Sequence, residues 1–132
     1  MKILVVGDSC KDVFRYGEID RLTPEAPVPV FNPIEETSND GMAKNVSKNI
    51  ESLGANVYTI TNSNSIKKIR YVDKKSNQLV LRVDEHDYCN RIDKDILSKI
   101  KNNKCVIPMT EASDVDAIII SDYCKGFLEE ED

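Results

Sequence analysis

Glycine is sparse in this 132-residue chain and never clustered. Gly7, Gly17, Gly41, Gly54 and Gly126 are all there are, and no two lie close enough to form a loop whose backbone N–H groups cradle a phosphate. Excess positive charge is also absent. Asp and Glu number 23 against 18 Lys and Arg, a formal net charge of −5, so no net field draws the chain to polyanions and nucleic acid is not an expected partner. Cys10, Cys89, Cys105 and Cys124 contain no Cys-x-x-Cys pair. That leaves no opening of a zinc or redox site, and the reading is of buried, reduced thiols with no metal. No apolar run approaches bilayer-spanning length, and Met1–Gly7 is too short for a signal peptide, so no membrane contact and a cytoplasmic location are expected. His86, the single histidine, has no nucleophile pattern near it and reads as a surface residue.

What is present organises itself as α/β. The length suits one domain, and 40% hydrophobic content supports a modest core. Ile3–Val6 is a continuous apolar run closed by Gly7 and Asp8, the pattern of a central parallel strand buried on both faces. Val28–Ile34 alternates but carries Pro29 and Pro33, which lack the ladder donor and confine it to a sheet edge. In the segment Asp40–Leu53, Ala43, Val46, Ile50 and Leu53 fall on one helical stripe, with Asn39 or Asp40 as cap and Gly54 as stop. Asn56–Thr61 and Asp116–Ser121 read as further buried strands. Lys68–Asp73 and Gln78–Asp84 read as an amphipathic hairpin around a four-residue turn, whose apolar face needs cover. Asp93–Lys101 reads as a short helix with Ile96, Leu97 and Ile100 inward.

Several polar residues are placed where ligands gather. Asp12 lies just past the first strand, where an ionised carboxylate can accept bidentately from neighbouring hydroxyls; a solvated loop aspartate is the plain alternative. Gly41, near a helix start, permits close backbone approach, and Asn45 one turn on can donate and accept. Arg82 and Asp84 share one face of a strand, as substrate contacts or as an ion pair. Tyr123 and Lys125 follow a strand's carboxyl end, the ligand-binding edge of open α/β sheets.

In combination these segments resemble a known family. Val5-Val6-Gly7-Asp8 with Asp12, Thr23-Pro24-Glu25-Ala26-Pro27-Val28-Pro29-Val30, Gly41-Met42-Ala43-Lys44-Asn45-Val46, Gln78-Leu79-Val80-Leu81-Arg82-Val83-Asp84 and Ser121-Asp122-Tyr123-Cys124-Lys125-Gly126 stand in the order found in the amino-terminal half of PfkB (ribokinase-like) carbohydrate kinases. The Pro-Glu-Ala-Pro-Val-Pro stretch is most similar to the heptose 7-phosphate kinases. The resemblance implies a truncated Rossmann-like open sheet spanning 1–132, with lid strands near 27–34 and 67–84 that close over a sugar and pair two subunits. It implies sugar-site roles for Asp12, Gly41 and Asn45, and places Tyr123 and Lys125 facing the site.

The chain also departs from that pattern. Met42 and Lys44 stand where the family has glycine and alanine, and only Asn62–Ser65 links Thr61 to Ile66 where relatives carry a strand-loop-helix region. The family's catalytic base and phosphate cradle come from a Gly-Ala-Gly-Asp helix start that these residues do not contain, so no catalytic residue is assigned. No cofactor is expected for this chain alone, whereas complete relatives use ATP and Mg. Three readings follow: a kinase-derived chain keeping part of a sugar-phosphate site, a non-catalytic dimerising module or regulator of a full-length kinase, and one half of a split kinase working with a complementary half.

Overall fold

The computed structural model describes residues 1–102 and 115–132. Its first sheet is parallel, with β1 (Lys2–Gly7) between β4 (Asn56–Thr61) and β7 (Ala117–Ser121). The unbroken apolar run of β1 is what a strand covered on both faces requires. Ile3 and Val5 pack with Ala43 of α1 (Ala43–Ser52) on one face; Leu4 and Val6 pack with Ile66, Ile92 and Phe127 on the other. The flanking strands are less covered than their sequences suggest. Ile118 and Ile120 of β7 are 38% and 68% exposed, and β4 is only half-buried, because each is an edge of a three-stranded sheet. Four apolar residues in a row therefore mark a buried strand in β1 and an open edge in β7.

A second, four-stranded sheet forms a lid, in the order β3 (Asn32–Met42), β2 (Ser9–Glu18), β5 (Ile66–Asp73), β6 (Leu79–Glu85). β2 runs antiparallel to β3 and parallel to β5, and β5 and β6 form the expected hairpin. Two expectations are corrected. Asp12 stands in the middle of β2, not in a loop, and the strand expected over Val28–Ile34 begins only at Asn32 and continues through polar residues to Met42. Upstream of Asn32, Pro29 makes a single bridge to Leu22, and Val28 is 49% exposed. The edge position foreseen from the prolines is where β3 lies.

The helices follow their signals with three changes. Asp93 caps α2 (Lys94–Lys101), accepting from the N–H groups of Asp95 and Ile96 at 2.8 and 3.3 Å. Leu97 and Ile100 pack inward, but Ile96 is 39% exposed. The expected cap of α1 at Asn39 or Asp40 is not formed, because pairing with β2 holds both in β3. Met42, at φ 57°, precedes the helix instead, and the Ala43 N–H donates to the Asp8 carbonyl at 2.9 Å. Leu53 falls past the last helical turn and is 85% exposed, while Gly54, at φ 87°, closes the helix as its position predicts. Of the thiols, Cys10 and Cys89 are buried; Cys124 is exposed, against expectation, and Cys105 lies outside the described residues.

Candidate functional site

Where β1 ends, the chain turns into the lid through Asp8, which is fully buried. Its carboxylate accepts the backbone N–H groups of Tyr123 (2.8 Å), Lys125 (3.2 Å) and Phe127 (3.2 Å) and faces the Cys89 thiol at 3.4 Å. Burial works to raise the Asp8 carboxyl, but these donors outweigh it and hold the group below the usual carboxylate range. The same contact pushes the other way on Cys89. Burial first, and then the hydrogen bond to Asp8, drive that thiol up to about 12. Asp8 thus fixes the segment after β7 against the start of the lid, which brings Tyr123 and Lys125 to the site.

Strand register arranges the lid's inner face in rows. One row runs Asn39, Asp12, Lys68, Asp84, and the next runs Thr37, Phe14, Arg70, Arg82. Residues two apart on a strand share a face, so these side chains project together. Arg70 reaches across to Asp12 at 2.6 Å and lies over the Phe14 ring. Arg82 turns along its own strand to pair bidentately with Asp84, at 2.7 and 2.8 Å, which raises the guanidinium and holds the Asp84 carboxyl below its ordinary value. Between these pairs Lys68 makes no ion pair among the described residues, and its ammonium sits 5.9 Å from the centre of the Tyr123 ring.

Gly41 lies beside this lattice, opposite Cys10 in the register. A Cβ there would meet Asp12 Oδ2 and Cys10 Sγ, so the bare backbone is what lets the Asp12 carboxylate lie across it. Burial first, and then the Asp12 charge, push the Cys10 thiol above its ordinary value. Asn45 is exposed in the first turn of α1. Lys125 is held in an ion pair with Asp87 at 2.6 Å. Of the residues singled out in the sequence, Asp12, Gly41, Arg82, Asp84 and Tyr123 lie with Lys68 and Arg70, whereas Lys125 is paired with Asp87 and Asn45 is exposed on α1 without a contact to this group.

Sequence reading missed Asp8, Lys68 and Arg70. Asp8 had a signal, being the first polar residue after a buried parallel strand. Lys68 and Arg70 were legible as a same-face pair on a strand but carried no sign of the carboxylates opposite them. The face offers carboxylate acceptors for hydroxyls and a surplus cation for an anion, a combination suited to an acidic polyol. No group of residues suited to a metal ion occurs among the described residues. No described helix is long and apolar enough to cross a membrane.

No family model matches the chain. It is 32% identical to the Bifunctional protein HldE of Helicobacter acinonychis over 97% of its own length and 32% of that protein, and 30% identical to the Bifunctional protein HldE of Campylobacter jejuni over 96% of itself and 31% of that protein. The chain therefore spans about a third of the length of the curated relatives it matches. Among solved structures, it superposes on ribokinase from Thermotoga maritima with a TM-score of 0.38 and 15% identity, covering 65% of this chain and 37% of that one. Ribokinase from Cryptococcus neoformans, solved with ADP, gives 0.40 and 11%, covering 90% and 40%.

Proposed function

We propose, from the premise that the chain is a relative of the HldE proteins over nearly its whole length, that the inner face of its lid binds a phosphorylated sugar. The observation that carries this reading is the seat of Asp12. Its carboxylate lies across Gly41 and is steered by Arg70 at 2.6 Å, half-buried yet open to a ligand. Asp12 accepts two sugar hydroxyls, Asn39, its register partner, adds an amide, and Tyr123 offers a ring face. Calorimetric titration with heptose 7-phosphate tests it. The wild type takes up the sugar and Asp12→Ala abolishes the signal; heat from the variant equal to the wild type removes Asp12 from the site.

Phosphoryl transfer further needs a base and a cradle of donors for the transferred group. In this reading a complementary kinase segment supplies both, together with the site for ATP and Mg. ATP turnover by these 132 residues alone would overturn that division.

A second reading, a dimer through the lid, is favoured by an apolar groove on the outer side of the sheet. Val28, Pro29, Phe31, Tyr71, Val80 and Leu81 line it, with Leu81 53% exposed and the Phe31 ring edge-on to Tyr71 at 5.3 Å. A second copy would cover this surface and the free edge of β6. Sedimentation at rising concentration tests it: Leu81→Asp should leave a monomer where the wild type pairs.

A further inference from the structure

Side chains alternate along a strand, so Ser9 and Lys11 of β2 project away from the face that holds Asp12. On their side the start of β2, the first turn of α1 and the link Asn62–Ser65 enclose a cavity of about 140 Å³. Buried Ser9 and Asn62 line it together with exposed Lys11, Lys44, Ser63 and Ser65. Two buried polar atoms of this lining have no hydrogen-bond partner among the described residues. One is the hydroxyl of Ser9, a residue only 4% exposed; the other is Asn64 Oδ1. The Asn64 amide is fixed in that orientation, because its Nδ2 donates to the Tyr88 carbonyl at 2.9 Å. Asn62 cannot serve either atom, since its own amide is engaged by Ser9, Thr61 and the Asn64 carbonyl. Buried polar atoms without partners are costly, and here they border an open space.

Charge decides what fits that space. Asp40, the one acid among the lining residues, is shared by Lys11 at 3.4 Å and Lys48 at 2.7 Å, while Lys44 makes no ion pair among the described residues. Over these four groups three cations face one anion. Lys44 also stands in the first turn of α1, where the helix dipole disfavours a cation, and that end has neither a side-chain cap nor an acid in its first turn. An anion beside Lys44 answers both.

We propose that this cavity is a site for inorganic phosphate. The charge of the ion answers Lys11, Lys44 and the open end of α1, and its oxygens accept from the hydroxyls of Ser9, Ser63 and Ser65. Asn64 Oδ1 then selects among anions, because it needs a donor. Sulfate carries no hydrogen at neutral pH, and a phosphate monoester, with a second pKa of about 6, has mostly lost its own. Inorganic phosphate keeps an acidic hydroxyl to give. At about 140 Å³ the cavity equals the liquid share of about four to five waters at ~30 Å³ each, room for an ion but not for a nucleotide. A bound phosphate would tie the first turn of α1 and the Asn62–Ser65 link to the start of β2, the strand that carries Asp12 on its other face. The site is independent of the sugar-binding reading.

The test titrates the full chain with inorganic phosphate, sulfate and glycerol phosphate at matched ionic strength, by calorimetry, and repeats the phosphate titration with Lys44→Ala, Ser9→Ala and Lys67→Ala. Lys44 and Lys67 are exposed, and circular dichroism verifies that each variant keeps the fold. Phosphate should bind saturably and about fivefold or more tighter than sulfate or the ester, through the hydrogen bond that it alone offers Asn64. Lys44→Ala should weaken phosphate about tenfold by loss of a charge-assisted contact, and Ser9→Ala about threefold. Lys67, the register partner of Lys11 on β5, lies outside the cavity, so Lys67→Ala should stay within about twofold of the wild type. Absence of saturable phosphate binding overturns the site, as does a loss in Lys44→Ala no larger than in Lys67→Ala. Equal affinity for sulfate overturns the assignment to phosphate. Binding that is lost in Lys68→Ala and survives in Lys44→Ala would put the ion on the lid's inner face and overturn the proposal too.

Discussion

The carboxylate of Asp12 occupies the space that a side chain on Gly41 would need. The other atom in that space is the Cys10 thiol, so both obstacles are ends of side chains. A Gly41→Ala substitution therefore costs the fold little, about 1 kcal/mol, while forcing Asp12 off its contact with Arg70. Gly17 is the useful contrast. A Cβ there meets the backbone carbonyl of Asn32 and the Phe31 ring, so Gly17→Ala should cost about 2–3 kcal/mol. Urea unfolding of the two variants, with sugar-phosphate titration of each, should show the stability loss at Gly17 and the binding loss at Gly41.

Asp8 predicts an acid limb in the stability curve. Its carboxyl is held below the usual range in the folded protein, because its backbone donors overcome the opposing effect of burial. A depressed carboxyl contributes stability that is complete above its unfolded value and lost as pH falls through the folded one, so the loss lies on the acid side of the ordinary carboxylate range. Asp8→Asn exchanges one acceptor oxygen for a donor facing N–H groups. It should cost about 3 kcal/mol at neutral pH and flatten the acid limb, as measured by denaturant midpoints over a pH series.

The thiols near the site should react in a fixed order. Cys124 is exposed, whereas Cys89 is buried with its thiol driven up to about 12, and Cys10 is buried and also raised. Since the thiolate is the nucleophile, iodoacetamide near pH 8 should label Cys124 and spare Cys10 and Cys89 in the folded protein. Peptide mass mapping before and after unfolding checks this. Labelling of Cys89 at the rate of Cys124 would mean that the Asp8 contact does not persist in solution.

The parts legible in the sequence are those where a local pattern decides the structure. β1 is one, where the apolar run Ile3 to Val6 closed by Gly7 and Asp8 is covered on both faces as expected; the short helix over Asp93–Lys101 and the stop at Gly54 are others. β2 was not legible. Ser9–Glu18 mixes Lys11, Asp12 and Arg15 with Cys10, Val13 and Phe14, and becomes a strand because β3 and β5 supply its hydrogen bonds on both sides. β3 is stranger still, since Glu35 to Asp40 is polar throughout and is held by pairing with β2. The candidate site was half legible for the same reason. Asp12, Arg82 and Asp84 could be named one by one, but the rows that join them to Lys68 and Arg70 exist only once register is fixed.

The link from Thr61 at the end of β4 to Ile66 at the start of β5 is only Asn62–Ser65, and one side chain holds it. Asn62 accepts the Ser9 N–H at 2.7 Å and donates to the carbonyls of Ser9 at 3.1 Å and Asn64 at 2.6 Å. It is buried, and so is Ser9, the first residue of β2. Asn62 therefore ties the end of the parallel sheet to the start of the lid strand that carries Asp12. Asn62→Ala strands a buried N–H and two carbonyls and should cost about 2–3 kcal/mol. Asn62→Asp keeps the acceptor for the Ser9 N–H but turns a charged oxygen toward two carbonyls, so at neutral pH it should be at least as damaging. Protonating the introduced carboxyl restores one donor, so the gap between the aspartate variant and wild type should narrow as pH is lowered, while the alanine variant shows no such recovery. Chemical denaturation at neutral and mildly acid pH separates the two. Parallel behaviour of both variants would show that Asn62 acts by filling space and not through its hydrogen bonds.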